Sequence, residues 1–517
     1  MSEDALGATP SVSRLSGKSA VVVGGGIGGL AAALRLRRAG CRVTLLEKNE
    51  TVGGKVAERK ASGFRWDLGP SLLTMPQILD RLFADLGESR NDYLTLEPLS
   101  PTCRYRWADG YRFDENEFFW SRPDSARLLR HAEGLYKLSA PAFLENDPSE
   151  VWKKILNPAL LPLLRFLPSM SPFQSLATAS RHFYSDPHLQ QFLQRFATYN
   201  GSDPEFTPAT FAVIPYVQAR FGGWYIRGGI RRLAEALLQL AEKHGMEVQT
   251  SAEVRSIDPT GVTLTSGKKI SADLIFHNGD VLRAHQKLIQ HPGVSKVANQ
   301  MAKPERAISG FVVLLGVRGK DPSLAHHNIF FSDNYPLEFQ QMFREKQPAE
   351  NPTIYLCLNS ITDPDSAPPE HDNYFLLVNA PADTTRIDWA KESPKYADRI
   401  IQILDKRFLP GLKSKIVHQE WFSPADFESR DGVVGGSLYG WASHGMMPSF
   451  LRPPIRSKLL RNLYFVGGTT HPDGGCPWFS SQPKLRCASQ TDRPKVFPGF
   501  PTARLPEPKV VQPHPRQ

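Results

Sequence analysis

The chain has 517 residues, 41% of them hydrophobic and 22% charged, an ordinary globular composition too long for one compact core, so two or three domains are expected. It holds no apolar run long enough for a spanning helix and no secretory apolar stretch near its start, and its scattered Cys41, Cys103, Cys357, Cys476 and Cys487 fit neither a zinc site nor a disulfide framework, which points to a reducing cytoplasmic compartment. The net charge of +10 is uneven: seven Lys/Arg stand against two Asp/Glu from Ser480 to Gln517, and with no recognition motif beside it nucleic acid is not an expected partner.

Residues 1–17 are small and polar and read as a disordered leader. Residues 18–23 form a short apolar strand that runs into Gly24-Gly25-Gly26-Ile27-Gly28-Gly29. Residues 30–39 read as a helix closed by Gly40, and residues 42–46 as a second strand, which makes a βαβ opening. Residues 120–220 look mainly helical with proline breaks. Residues 233–244 form an amphipathic helix, 247–254 and 261–270 strands around turns, and 272–277 a return to a central sheet. Residues 310–317, 353–359 and 373–380 predict a second sheet, 399–408 a helix and 462–467 a short buried strand. From Phe497 onward proline recurs with little apolar pattern, a composition that builds no core.

Gly24, Gly26 and Gly29 match the G-x-G-x-x-G spacing. The first glycine allows the tight turn, the second lets backbone approach a pyrophosphate, and the third lets helix pack close on strand. The phosphates then meet the free N–H groups of a helix N-terminus. Glu47 follows Gly26 by 21 residues, where a ribose hydroxyl partner is expected, and an acid there disfavours a 2′-phosphate.

Val52-Gly53-Gly54-Lys55 resembles the second signature of two-dinucleotide-binding flavoproteins, with Lys55 where that family usually has Arg. Asp67-Leu68-Gly69-Pro70-Ser71, with Thr74 and Pro76, resembles the D-x-G-P-x-x-x-T-x-P segment that runs along the flavin in that family. The N-terminal block is similar to the amine-oxidase-related flavoproteins, and three later blocks are similar to their bacterial phytoene desaturase branch. These are Arg195-Phe196-Ala197-Thr198-Tyr199-Asn200-Gly201-Ser202 with Pro204, Trp224-Tyr225-Ile226-Arg227-Gly228-Gly229, and residues 462–475 from Asn462-Leu463-Tyr464-Phe465-Val466-Gly467 to Gly474-Gly475. In the last block Asp473 replaces a glycine of the branch's motif.

The resemblance implies an α/β and α+β fold in which a discontinuous Rossmann-like FAD domain (18–120, 222–290 and 440–477) is interleaved with a substrate and membrane-contact domain on a mixed sheet with helices (121–221 and 291–439). It implies FAD as cofactor, held by Gly24, Gly26, Gly29, Glu47, Lys48, Gly53, Gly54, Lys55, Gly69, Pro70, Ser71, Val254, Gly467, Gly474 and Gly475. It also implies removal of hydrogen from a hydrophobic polyene, phytoene or a diapo- or hydroxylated relative, with quinone or oxygen reoxidising the flavin. Two other readings stand beside this one: a flavin amine oxidase-like enzyme with a small substrate, and a catalytically impaired flavin-binding relative.

A hydrocarbon substrate comes from a bilayer, so peripheral attachment to the inner face of the cell membrane is expected. Residues 151–174, with Trp152, Lys153, Lys154, a run of leucines and three prolines, read equally as an interfacial entry lid or as a Pro-kinked pair of core helices. No Ser-His-Asp set or metal cluster is visible, in keeping with flavin carrying the reaction. His471 reads as a backbone-bonded side chain beside the flavin turn, or as a group that stabilises reduced flavin. Cys476 follows a Gly-Gly pair, but its surroundings match the desaturase motif rather than a covalent flavin site.

After Gly475 the chain departs from the branch's apolar helix. The string CTG GTT CTC CTC TCA GCC AAA ATT GCG encodes Leu-Val-Leu-Leu-Ser-Ala-Lys-Ile-Ala, and read one base later it encodes Trp-Phe-Ser-Ser-Gln-Pro-Lys-Leu-Arg, the sequence of residues 478–486. Residues from 477 onward therefore read as the product of a frameshift, and the basic, proline-rich tail 478–517 as carrying no function of its own.

Overall fold

The computed structural model describes residues 15–139, 174–445 and 452–470. The expected lid apart from Gln174, and His471, Asp473, Gly474, Gly475, Cys476 and the basic tail, lie outside the described residues, as do residues 1–14 of the expected leader.

Ser19–Val23 is an apolar run buried at its centre, which suits a strand covered on both faces of a parallel sheet. It is the middle strand of five. Leu274–His277 and then Leu463–Phe465 lie on one side, Arg42–Leu46 and then Glu247–Gln249 on the other, and every pairing is parallel. Helix Ile27–Arg38 follows the first strand and packs on helix Arg231–Lys243. The latter buries Leu233, Ala234, Leu237, Leu240 and Ala241, the one-sided spacing of an amphipathic helix.

The second large sheet has seven strands in the order Ile416–Phe422, Ser309–Arg318, His371–Ala380, Ile354–Leu358, His327–Phe330, Cys103–Arg106 and Arg112–Glu115. Only the His327–Phe330 pairing with Cys103–Arg106 is parallel. Ser309–Arg318 is buried at every position but its last. Helix Trp389–Arg407 covers one face of this sheet with Trp389, Tyr396, Ile400 and Leu404, and Phe64 and Trp66 of hairpin Glu58–Asp67 pack on the other with Val312 and Leu314. Gly316 makes that contact, because a Cβ there would lie 2.4 Å from the Phe64 ring. The described parts of residues 120–220 are chiefly helical, and they bury Leu176, Phe183, Leu189, Phe192 and Phe196 in an aromatic core with Tyr105, Trp107 and Phe119.

Several boundaries differ from the sequence reading. Helix Ile27–Arg38 starts three residues before the predicted residue 30, because Gly26 serves as its N-cap. The single strand expected over 247–254 is two, Glu247–Gln249 and Val254–Asp258, since Ser251 turns at φ 51° and gives its N–H to the Asn49 carbonyl. The helix expected over 399–408 begins at Trp389 and runs through Pro394, because its apolar face spans the sheet for its whole length. Cys103–Arg106 and Arg112–Glu115 hydrogen-bond into the seven-stranded sheet, although the expected division places 18–120 with the dinucleotide fold. Of the expected leader, Leu15–Gly17 form a turn. Leu15 is buried, and Gly17 bonds the Gly40 carbonyl.

Candidate functional site

The loop after the first strand opens at the carboxyl edge of the parallel sheet, where ligands of such sheets bind. Gly24 has φ 101°, a left-handed conformation that favours glycine. Gly29 approaches so closely that a Cβ on it would lie 2.0 Å from the Gly24 carbonyl oxygen. Gly26 caps the helix without a side-chain hydrogen bond, and the first turn holds no acid. The first N–H groups of that helix thus meet the cavity lined by Gly26, Ile27 and Gly28 with neither a capping oxygen nor a carboxylate in the way. The loop forms a cradle whose shape and dipole suit a diphosphate.

Glu47 closes the other side. Its buried carboxylate accepts from Gly25 N–H at 2.7 Å and from the backbone and side-chain N–H groups of Asn49 at 2.9 and 2.8 Å. Gly53 bridges to Gly26 and gives its N–H to the Gly25 carbonyl, so the second glycine pair is locked onto the first loop. Arg231 holds the Val52 carbonyl at 2.9 Å. Lys48, Gly54, Lys55, Gly69, Pro70, Ser71, Val254 and Gly467 line the same cavity, whereas Gly29 packs behind it. Lys55 donates to the Leu438 carbonyl, and Ser71 is hydrogen-bonded to the Tyr355 hydroxyl.

Sequence reasoning missed Asn278. It follows strand Leu274–His277, donates to the Gly24 carbonyl at 3.4 Å, and lies where a Cβ on Gly467 would be 2.7 Å from its side-chain oxygen. An Asn-Gly pair directly after a buried strand was the available signal. Asp280 caps the next helical turn through the N–H groups of Leu282 and Arg283 and pairs with Arg306 at 2.7 Å. Burial, against the pull of Asp280, pushes the His277 imidazole down to about 4, so it stands neutral in the cavity wall.

The cavity has a volume of about 940 Å³. Away from the glycine loop its wall includes Leu72, Leu135, Phe211, Val213, Ile214 and Val217. Beside this apolar stretch lies a buried polar cluster. Arg195 donates to the Tyr105 hydroxyl at 2.7 Å and lies over the rings of Phe196 and Tyr199. Tyr105 and Gln218 donate to Glu115 at 2.7 and 2.9 Å. Burial pushes the Glu115 carboxyl up to about 7 despite Arg195. The sequence offered no metal cluster, but the fold brings together His326, His327 and Cys357, the only such group among the described residues.

The profile described as "Flavin containing amine oxidoreductase" matches residues 27–476. The chain belongs to this family. It is an FAD-dependent oxidoreductase. Similar curated proteins include a 1-hydroxycarotenoid 3,4-desaturase of a Flavobacterium species, 33% identical over 478 residues with 89% of this chain and 96% of that protein covered. A 4,4'-diapolycopene oxygenase of a Methylomonas species is 34% identical over 477 residues, with coverages of 88% and 95%. Among solved structures, an oxidoreductase from Methanosarcina mazei aligns with TM-score 0.58 at 17% identity over 90% of this chain and 99% of that one. Cyclohexylamine oxidase from Brevibacterium oxydans aligns with TM-score 0.56 at 15% identity over 90% and 97%. These structures share the fold. The glycine loop, Glu47 and residues Leu68–Ser71 all line one cavity.

Proposed function

We propose that the chain removes hydrogen from a long polyisoprenoid carotenoid precursor: phytoene, a diapo-relative or a hydroxylated carotenoid. The observation that carries this is the single cavity of about 940 Å³ that joins the glycine cradle to an apolar wall. A hydrocarbon chain offers nothing to hydrogen-bond, so its site is defined by apolar shape. The names of the relatives, a hydroxycarotenoid desaturase and a diapolycopene oxygenase, support the same substrate class.

In this reading Gly24, Gly26 and Gly29 shape the loop, the helix N–H groups after Gly26 face the diphosphate, and Glu47 accepts from the ribose with Lys48 beside it. Gly53, Gly54, Lys55, Gly69, Pro70, Ser71, Val254 and Gly467 border the rest of the cofactor, and Gly474 and Gly475 continue the last motif beyond the described residues. Bound FAD supplies the two-electron acceptor. The protein's part is to hold the polyene against it and to keep water out, and Phe211, Val213, Ile214 and Val217 do both. Quinone or oxygen takes the electrons onward. The substrate's source places the enzyme peripherally on the inner face of the cell membrane; among the described residues no helix is long and apolar enough to cross one.

The test is expression in cells that accumulate phytoene, its diapo-relative or a hydroxylated carotenoid, followed by absorption spectra of the extracted pigments. Products absorbing at longer wavelength are expected from at least one. No product from any polyene, with flavin bleached by a small amine instead, would overturn the reading. A version with the frame restored after residue 476 separates loss of the last helix from loss of the chemistry.

A further inference from the structure

The geometry points to a second site, a soft-metal site built by His326, His327 and Cys357 in the wall of the seven-stranded sheet. His327 and Cys357 are register partners on adjacent antiparallel strands, so their side chains leave the same face side by side. His326 precedes the strand and escapes its alternation, and its ring centroid lies 4.5 Å from that of His327. One ligand atom from each of the three residues lies within 4.8 Å of the others. Bonds of about 2.0–2.3 Å to a shared ion would draw them together by roughly an ångström.

Both imidazoles are held from behind. His326 Nδ1 meets Thr362 Oγ1 and His327 Nδ1 meets the Tyr355 hydroxyl, each at 2.7 Å, the way ligating imidazoles are usually oriented. The opposite nitrogen, Nε2, is buried in both rings and has no hydrogen-bond partner among the described residues. The residues are 4% and 1% exposed, and native structures seldom leave such atoms unpaired. The neutral imidazole is the form that binds metal.

Two neutral imidazoles and one thiolate suit Cu(I) or Zn(II). Coordination number decides between them. Zinc held by protein ligands alone is almost always four-coordinate, whereas three ligands converge here among the described residues, and two imidazoles with one thiolate are the trigonal set of copper. The structure therefore assigns Cu(I). Binding breaks the Cys357 S–H bond, whose proton is now given to the Asn359 side-chain oxygen at 3.0 Å, forms a sulfur–metal bond in its place and releases the proton to solvent, with no change of oxidation state. The site does not depend on the carotenoid reading.

The test is anaerobic titration of the full-length flavin-loaded protein with Cu(I) against the chromophoric chelator bicinchoninate, with a parallel titration of Zn(II). One equivalent of Cu(I) is expected to stay with the protein. It should be lost in Cys357→Ser and His326→Gln and kept in Cys41→Ser, with flavin absorbance reporting that each variant is folded. Thr362→Val, which frees the His326 ring without removing a ligand, should weaken binding by about 10–100-fold, and it decides the matter if the ligand variants lose flavin. No stoichiometric Cu(I), unchanged binding in Cys357→Ser, His326→Gln and Thr362→Val, or preferential Zn(II) binding would overturn the assignment.

Discussion

Gly29→Ala separates two arguments that predict opposite signs. The residue lies in the first turn of helix Ile27–Arg38, where alanine is intrinsically better than glycine by about 1 kcal/mol. A Cβ there would, however, stand 2.0 Å from the Gly24 carbonyl oxygen, whereas ordinary contact begins near 3.4 Å. Both partners are backbone, so no rotamer relieves the clash, and helix and turn must separate by more than an ångström. Overpacking of this kind costs about 3 kcal/mol at the upper end of the usual range. The net expectation is a loss of about 2 kcal/mol, or roughly 30-fold in affinity if it falls on the cofactor loop. Thermal unfolding of the FAD-loaded protein and titration of apoprotein with FAD by fluorescence would both read it. A variant that melts at or above the parent and binds FAD as tightly would refute close packing as the reason for the glycine. Gly26→Ala gives the contrast: its Cβ would stand 2.8 Å from the Asn278 side-chain nitrogen, with the Gly53 carbonyl oxygen at an ordinary 4.0 Å. Gly26→Ala with Asn278→Ala should therefore regain thermal stability while leaving FAD binding impaired.

Glu47→Gln keeps the shape but replaces a charged acceptor of the Gly25 and Asn49 N–H groups by a neutral one, and FAD affinity should fall about tenfold or more in the same titration. Arg306→Met leaves the buried Asp280 carboxylate without its cation and should cost about 3–5 kcal/mol in denaturant unfolding. Glu115 is held by burial near 7, above its unfolded value of about 4.5, with Arg195 opposing. The folded state then binds the extra proton between these values. Its stabilising effect is complete below about 4.5, is lost as pH rises to about 7, and changes no further above that. Glu115→Gln should accordingly gain on the parent across that window, by up to about 3 kcal/mol, in urea titrations at successive pH values. A difference independent of pH would show that Glu115 ionises freely.

The βαβ opening was legible because each of its parts is local: an apolar run, glycines at fixed offsets, and an acid one strand later. Three strands of the second sheet, Ser309–Arg318, Ile354–Leu358 and His371–Ala380, were legible as apolar runs. Cys103–Arg106 and Arg112–Glu115 were not, because Arg104, Arg106, Arg112 and Asp114 alternate with the buried positions and give each strand a polar look; Arg104 and Asp114 pair at 2.7 Å only once the hairpin has formed. Pro394 hid the first part of helix Trp389–Arg407, and the packing of Trp389 and Tyr396 overrides that local penalty. Asn278 and His327 belong to the cavity wall through strand order, which no local pattern encodes. Glu47 was expected for its spacing, yet its hold on Gly25 N–H shows that it also braces the loop itself.

Asp67 carries this furthest. Its motif suggests a segment defined by the flavin, but its carboxylate accepts from Ile230 N–H at 3.1 Å, ahead of helix Arg231–Lys243 on the parallel-sheet side, and from Asn359 at 3.0 Å, just beyond a strand of the seven-stranded sheet. Burial pushes it up to about 6 although Arg65 lies 3.7 Å away. It is a buried tie between the two sheets. A residue that served the cofactor alone would leave the apoprotein unaffected when its partners change. A tie would not. Asn359→Leu removes one donor and leaves a buried acceptor oxygen short of a partner, so the apoprotein, with no FAD present, should lose about 1–3 kcal/mol in denaturant unfolding. Unchanged apoprotein stability, with FAD affinity alone reduced, would return Asp67 to a purely cofactor-facing role.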